Sequence, residues 1–392
     1  MKDVVIVGAA RTAIGAFQGS LKDVSAIDLG VAALKGALDR AGIEAAQIDE
    51  TVGGNVLPAG SPGNVVRHIA IKAGVPVESP AMTVNQQCPS SMRATEIAAQ
   101  QIMLGKTEIS AVVGTENMSQ APYLLLKARN GYRLGNGETI IDSMMYNALH
   151  CGFIDAHMGI TAENVAEMYN ISRQEQDELA LLSNQRAMAA IRSGIAKEEI
   201  VPVEVKTRRG TVIFDTDEHP KDTTLEELSK LRPAFKKEGT VTAGNASGIN
   251  DGASALILMS AERAKAENKQ PLARIVATSS AGVEPRVMGL GVVPAVRKVL
   301  EYAGLKMEDI GYWELNEAFA AQFLGCNREL KISLDKVNAN GSGIGLGHPV
   351  GSTGSKLIVS LIYEMRRRGV QYGCASLCAG GGPATAIILE AL

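Results

Sequence analysis

The sequence predicts a layered α/β protein made of two similar halves with a long insertion between them. Three observations carry this reading: a repeat relating the two ends of the chain, short apolar runs alternating with helical patterns in each half, and a polar middle stretch with no counterpart in the repeat. At 392 residues the chain has room for two packing units around a shared core. Hydrophobic residues at 46% and charged residues at 21% give the composition of a globular protein and exclude a disordered one.

The opening run Val4 to Ala10, interrupted by Gly8 and with no cleavage-site pattern behind it, reads as a first buried strand and not as a signal peptide. Ala26 to Arg40 has helical periodicity and runs into Ala41-Gly42-Ile43; about 260 residues later, Ala295 to Tyr302 runs into Ala303-Gly304-Leu305. Similar spacing carries Ile48 onto Ile310, each expected to open a strand, and Ser110 to Gly114 onto Cys374 to Cys378. Val84-Asn85, ahead of Cys88, corresponds to Val337-Asn338, ahead of a Gly-rich turn. Nothing between about Asn117 and Asn250 repeats. That stretch carries a longer polar helix, Ser172 to Ser193, and a turn-rich segment, Lys206 to Thr224, and is expected to be an inserted loop domain. The predicted units are residues 1–117 plus 250–270, the insertion 118–249, and residues 271–392.

A formal charge of −3 provides no basic excess, so nucleic acid and anionic membrane surfaces are excluded as whole-protein partners; an anionic ligand must be held locally. No stretch is long enough to span a bilayer. Cys88, Cys151, Cys326, Cys374 and Cys378 are too few and too irregular for a disulfide framework, and a reducing cytoplasm is the expected location. No metal is expected: only Cys374 and Cys378 stand close together, and they share one strand end. His68, His150 and His219 are expected to be structural or superficial, and Cys151 and Cys326 to be packing residues.

Four segments could carry chemistry. Cys88 follows a short predicted strand, Met82 to Val84, and precedes Pro89 and a helical stretch, Ser90 to Met103, which puts it at or near a helix N-terminus. Unpaired N–H groups there would stabilise a thiolate and an oxyanion. A buried cysteine acting as a small hydrophobe fits the local pattern equally well. Asn340 to Pro349 contains four glycines and presents His348 on a turn, as a general base or as part of a structural turn. It is not a phosphate loop, because no Gly-Lys-Ser/Thr ending follows. Cys378, ahead of Gly380-Gly381-Gly382, and Asn316, in Asn316-Glu317-Ala318-Phe319, each follow a predicted strand; a core thiol and a turn former are the structural alternatives.

Together these segments resemble, in order, the four signature blocks of the thiolase family. The resemblance covers essentially the whole chain, from Ala9-Ala10-Arg11-Thr12 through His157-Met158-Gly159 and Gly244-Asn245-Ala246-Ser247-Gly248 to the final Gly-rich strand. It implies a thiolase-like fold of duplicated α/β halves in an α-β-α-β-α arrangement with an inserted loop domain. It also implies reversible Claisen condensation of two acetyl-coenzyme A to acetoacetyl-coenzyme A plus free coenzyme A, or thiolysis of another 3-ketoacyl-coenzyme A, as a step of fatty acid metabolism. By this resemblance Cys88 takes up the acyl group, His348 activates it, and Cys378 exchanges the α-proton. His348 and a water on Asn316 stabilise an enolate, and the N–H groups of Cys88 and Gly380 form a second oxyanion hole. Ser247 and His157 are expected on the pantetheine arm, Met158 and Phe319 along the tunnel, and Lys221 near the nucleotide, where a lysine lacks the bidentate fork of arginine. Coenzyme A thioesters enter as substrates and no cofactor is expected. The segment Gly131 to Met145 resembles a loop used in tetramer contacts, so a homotetramer or homodimer is expected.

The family pattern is broken at Pro89-Ser90-Ser91, at Pro383-Ala384 and at Ser342-Gly343, changes expected to reshape the acyl pocket. A decarboxylating condensing enzyme typically pairs its nucleophile with two histidines or with His and Asn, whereas this chain offers Asn316 and His348 together with Cys378, and the second cysteine favours thiolase. A thiolase-like protein without turnover would not need Cys88, His348 and Cys378 together.

Overall fold

The computed structural model describes residues 2–392 except 133 and 136–138. Among the described residues eleven strands make the main sheet, nine of them along its main path: β1 (Val4–Thr12), β2 (Glu50–Gly54), β3 (Ala81–Val84), β4 (Ile109–Asn117), β5 (Asn250–Ser260), β6 (Ala273–Gly282), β7 (Ile310–Leu315), β8 (Tyr372–Cys378) and β9 (Pro383–Ala391), with the short Ile200–Val201 beside β1 and Gly15–Ala16 beside β5. Their order is β7-β8-β9-β6-β1-β5-β4-β2-β3. Read outward from the β6/β1 junction, both arms repeat one pattern: two antiparallel pairings, then a parallel one. The parallel pair β2/β3 at one end is matched at the other by a parallel bridge between Trp313 and Val337. The junction itself is short, pairing only Val5 with Arg274 and Ile6 with Ala273.

Helices α1 (Ala26–Ala41), α2 (Val65–Ala73), α3 (Ser90–Met103), α4 (Met158–Met168), α5 (Arg173–Ser193), α6 (Val292–Ala303), α7 (Ala320–Leu330) and α8 (Val350–Arg368) complete the frame. Ser25 caps α1 by accepting from Asp28 N–H, and the repeated glycines Gly42 and Gly304 end α1 and α6 in the left-handed conformation, at φ 58° and 66°. Ile310 opens β7 as expected, whereas Ile48 falls two residues before β2, as the C-cap of a 3-10 turn, Ala45–Gln47. The turn-rich stretch contains a hairpin, Val203–Thr207 with Gly210–Phe214.

Strand side chains alternate between two apolar faces, and this builds the layers. Val5, Val7 and Val113 pack outward with Leu34 and Ile69 of α1 and α2. Ile6, Val112, Leu256, Leu377 and Ile387 face inward, against Met92 of α3 and Leu357, Ile358 and Leu361 of α8. Val296, Leu300 and Phe323 cover the outer face of the second half. The result is helix, sheet, helix, sheet, helix, with α3 and α8 sandwiched at the centre. Their contact is close: a Cβ added at Gly354 would lie 2.4 Å from the Met92 backbone nitrogen. Cys88 precedes α3 and His348 precedes α8, so the central layer aims both at one end of the molecule.

Among the described residues no helix is long and apolar enough to cross a membrane, and no cluster of three His, Cys, Asp or Glu could hold a metal ion.

Candidate active site

Gln87, in the left-handed region at φ 58°, turns the chain sharply between β3 and α3, and its side chain donates to Asn147 O at 3.0 Å. Pro89 occupies the N-cap of α3, one residue beyond Cys88. The backbone N–H groups of Cys88 and Gly380 both act on the Cys88 sulfur in favour of its thiolate, which sets the Gly-rich C-terminal turn near the α3 turn. The sulfur packs against an apolar cluster that includes Val56, Leu57, Met118, Met144, Ala148 and Val350. Burial here outweighs the two donors and pushes the thiol up to about 12, with the Glu116 charge acting in the same direction. The expectation of a thiol lowered by a helix N-terminus is therefore overturned. Cys88 rests protonated and needs a base.

His348 supplies a neutral one. It is buried, and desolvation together with the nearby Lys356 charge lowers its imidazole to about 4. Its backbone N–H donates to Asn250 Oδ1 at 3.0 Å. Its Nδ1 lies 2.7 Å from Thr353 Oγ1, whose hydroxyl proton goes to Pro349 O at 2.9 Å. Thr353 thus accepts from Nδ1–H, and the free lone pair falls on Nε2. Asn316 Nδ2 sits 3.4 Å from that nitrogen, while Asn316 Oδ1 is buried without a hydrogen-bond partner. Cys378 ends β8, also buried; desolvation raises its thiol well above the ordinary value, and the Cys88 charge adds to this.

A cleft of about 490 Å³ opens over these groups, lined by His348, Val350 and Met118 on the scaffold and by His157, Lys221, Phe235, Ser247 and Phe319 above them. His157 caps α4 by accepting from Gly159 N–H, and stacks on Phe235 with ring centroids 4.5 Å apart. Phe319 meets Phe235 edge-on, and Ser247 N–H donates to Ala318 O at 2.9 Å. Met158 is buried beneath the cleft, its methyl group in the space that a Cβ on Gly380 would take.

The structure thus gathers the predicted residues at one end of the molecule: five of them line the cleft, and Cys88, Gly380 and Cys378 cluster at a second set of contacts beside it. Several others had no signal in the sequence. His219, expected to be structural or superficial, lines the cleft, mostly buried, with Nε2 3.1 Å from Ile344 O. Phe17, Met145, Leu149 and Phe235 line it from loops whose fold-back no local pattern reveals. Thr353 was readable only once α8 was known to start at Val350, which places it over the preceding turn. The departures at Ser90 and Ser91 also take another role. Both are buried and neither lines the cleft: Ser90 Oγ accepts from Gln86 N–H at 2.9 Å within the turn before α3, and Ser91 Oγ accepts from Ser355 N–H at 2.9 Å in the joint between α3 and α8.

Comparison with known proteins agrees with this architecture. The family model for the N-terminal domain of thiolases matches residues 4–262, and that for the C-terminal domain matches residues 269–391. The acetyl-CoA acetyltransferase of Syntrophomonas wolfei is 50% identical over 394 residues, covering 100% of both chains, and its solved structure superposes with a TM-score of 0.98. The acetyl-CoA acetyltransferase of Escherichia coli K12 is likewise 50% identical over 394 residues, with 100% of each chain covered. A human mitochondrial 3-ketoacyl-CoA thiolase, solved in complex with CoA, is 42% identical with a TM-score of 0.96, covering 100% of this chain and 98% of that one. With two domain matches that together span nearly its whole length, this chain belongs to the thiolase family.

Proposed function

We propose that this chain is an acetyl-CoA C-acetyltransferase, interconverting two acetyl-coenzyme A with acetoacetyl-coenzyme A and free coenzyme A. His348 Nε2 takes the Cys88 proton as the sulfur attacks the thioester carbonyl. The N–H groups of Cys88 and Gly380 receive the developing oxyanion, and coenzyme A leaves with the proton from His348. Thiolate and imidazolium are each unfavourable alone in this apolar setting, so they form together and offset one another. Cys378 passes its proton to the neutral His348 and, as thiolate, takes an α-proton from a second acetyl-coenzyme A. The enolate carbon attacks the Cys88 thioester, its carbonyl re-forms as the Cys88 sulfur departs, and that sulfur takes the proton back from His348. His348 and Asn316 face the enolate oxygen; the orphaned Asn316 carbonyl suits an ordered water there.

One observation carries this reading: the N–H groups of Cys88 and Gly380 act together on a sulfur that packs against Val350, which lines the cleft with the neutral imidazole of His348. His157, Ser247 and Phe319 would hold the pantetheine arm, Met158 the acyl end and Lys221 a phosphate. Exposed Tyr123, Leu125, Leu126, Leu134, Ile140 and Phe153, on and beside the arm around 131–145, give a second copy of the chain an apolar surface to cover. Of that arm, 133 and 136–138 lie outside the described residues.

Intact-protein mass spectrometry after incubation with acetyl-coenzyme A tests the chemistry. An added acetyl group that vanishes in Cys88→Ala, with cleavage of acetoacetyl-coenzyme A by free coenzyme A, is the expected result. A bound donor with no adduct in the wild-type chain overturns it.

A further inference from the structure

Glu116 ends β4 fully buried, and its carboxylate is met by four donors. Oε1 accepts from Asn55 Nδ2 at 2.7 Å and from Leu57 N–H at 3.1 Å; Oε2 accepts from Val56 N–H and Gly351 N–H, both at 2.9 Å. Three segments meet in this nest. Residues 55–57 follow β2, Gly351 lies in the first turn of α8 three residues after His348, and β4 brings the carboxylate between them. Only an ionised carboxylate satisfies all four: a glutamine would turn its NH2 toward two donors, and a protonated oxygen would do nearly the same. The fit is tight. A Cβ on Gly351 would stand 2.6 Å from Oε2 and 2.8 Å from Thr115 O, so this position has no room for a side chain.

The clamped groups are also those around the nucleophile. Val56, Leu57 and Val350 belong to the apolar cluster against which the Cys88 sulfur packs.

We propose that Glu116 is a positioning residue for the reaction assigned above: its four accepted hydrogen bonds lock the 55–57 loop and the start of α8 into the wall beside Cys88. The inference rests on Cys88 being the nucleophile. Burial raises the carboxyl to about 7 against the pull of its donors, and Glu116 in turn raises Cys88. The other charge bearing on it is Asp251 on β5, held by Ser119 Oγ at 2.6 Å. A clamp of this kind acts on kcat, because displacement of a reacting group by about 1 Å costs on the order of a hundredfold in rate.

The test compares full-length wild type, Glu116→Gln and Glu116→Asp in acetylation of residue 88 by acetyl-coenzyme A and in thiolysis kinetics. Glu116→Gln turns an NH2 toward two of the donors, and kcat is expected to fall about tenfold or more while KM changes little. Glu116→Asp keeps two acceptor oxygens but draws them back by one methylene, and is expected to recover part of kcat. Unchanged kcat in folded Glu116→Gln overturns the inference. Should that variant not fold, Glu116→Asp decides, and full kcat with the shortened clamp overturns it. Wild-type protein that binds acetyl-coenzyme A without acetylation sinks the assigned reaction instead.

Discussion

Thr353 sets which nitrogen of His348 carries the proton, and two outcomes follow at the level of single side chains. Thr353→Val removes the acceptor at 2.7 Å from Nδ1, frees the imidazole to take the other tautomer, and should lower the Cys88 acetylation rate about tenfold or more; Thr353→Ser should restore most of it. Stability should also respond to acid. His348 is held near 4 in the folded state and titrates near 6.5 in the unfolded chain, so between those values only the unfolded chain binds the proton. Stability is therefore complete above about 6.5 and declines as the pH falls toward 4, by roughly 3 kcal/mol, readable from urea midpoints across that range. Wild-type acetylation should stay flat from pH 6 to 9, because protonated Cys88 and neutral His348 both persist across that range, with no inflection near 6.5 from His348. The catalytic candidates were legible because each sits in a distinctive run of residues. The ionisation of Cys88 was not, since it depends on Met118, Met144 and Val350, which lie far from it in sequence and bury it.

At the scale of elements, the contact between α3 and α8 is where packing reaches the site. Gly354→Ala places a methyl group 2.4 Å from a Met92 backbone atom that cannot yield, so the two central helices must separate. Lower thermal stability and a fall in kcat that exceeds any change in KM are expected, because each helix carries one catalytic turn. Gly304→Ala is the control: nothing lies within 4 Å of its Cβ, and it should cost only about 1 kcal/mol, through the left-handed backbone, with acetylation unchanged. Equal effects from both substitutions would show that helix separation has no part in catalysis. The sequence located α1, α3, α5 and α6 to within a few residues because their caps and glycines are local signals. It could not foresee that Ser91 serves the helix joint, because its partner Ser355 N–H becomes a neighbour only in three dimensions.

Across the whole molecule, Arg11 joins the first strand to the middle of the chain. It is buried and paired with Glu199 at 2.7 Å and with both oxygens of Asp217, at 2.7 and 3.0 Å. Arg11→Met would strand two buried carboxylates and is expected to cost about 3–5 kcal/mol, measured by chemical denaturation. A loss under about 1 kcal/mol would mean that water reaches those acids. The paired halves were readable end to end from Ala41-Gly42-Ile43 and Ala303-Gly304-Leu305, whereas the cleft was not, since its upper wall comes from the stretch that has no counterpart. The mirrored strand order has a historical consequence. The turns bearing Cys88 and His348 occupy matching corners of the two arms, after β3 and after the bridge at Val337. An ancestral unit that paired with an identical copy would have set two sulfurs or two imidazoles there, never one of each. Only two copies free to differ allow those corners to diverge, so the division of labour between nucleophile and base is younger than the duplication.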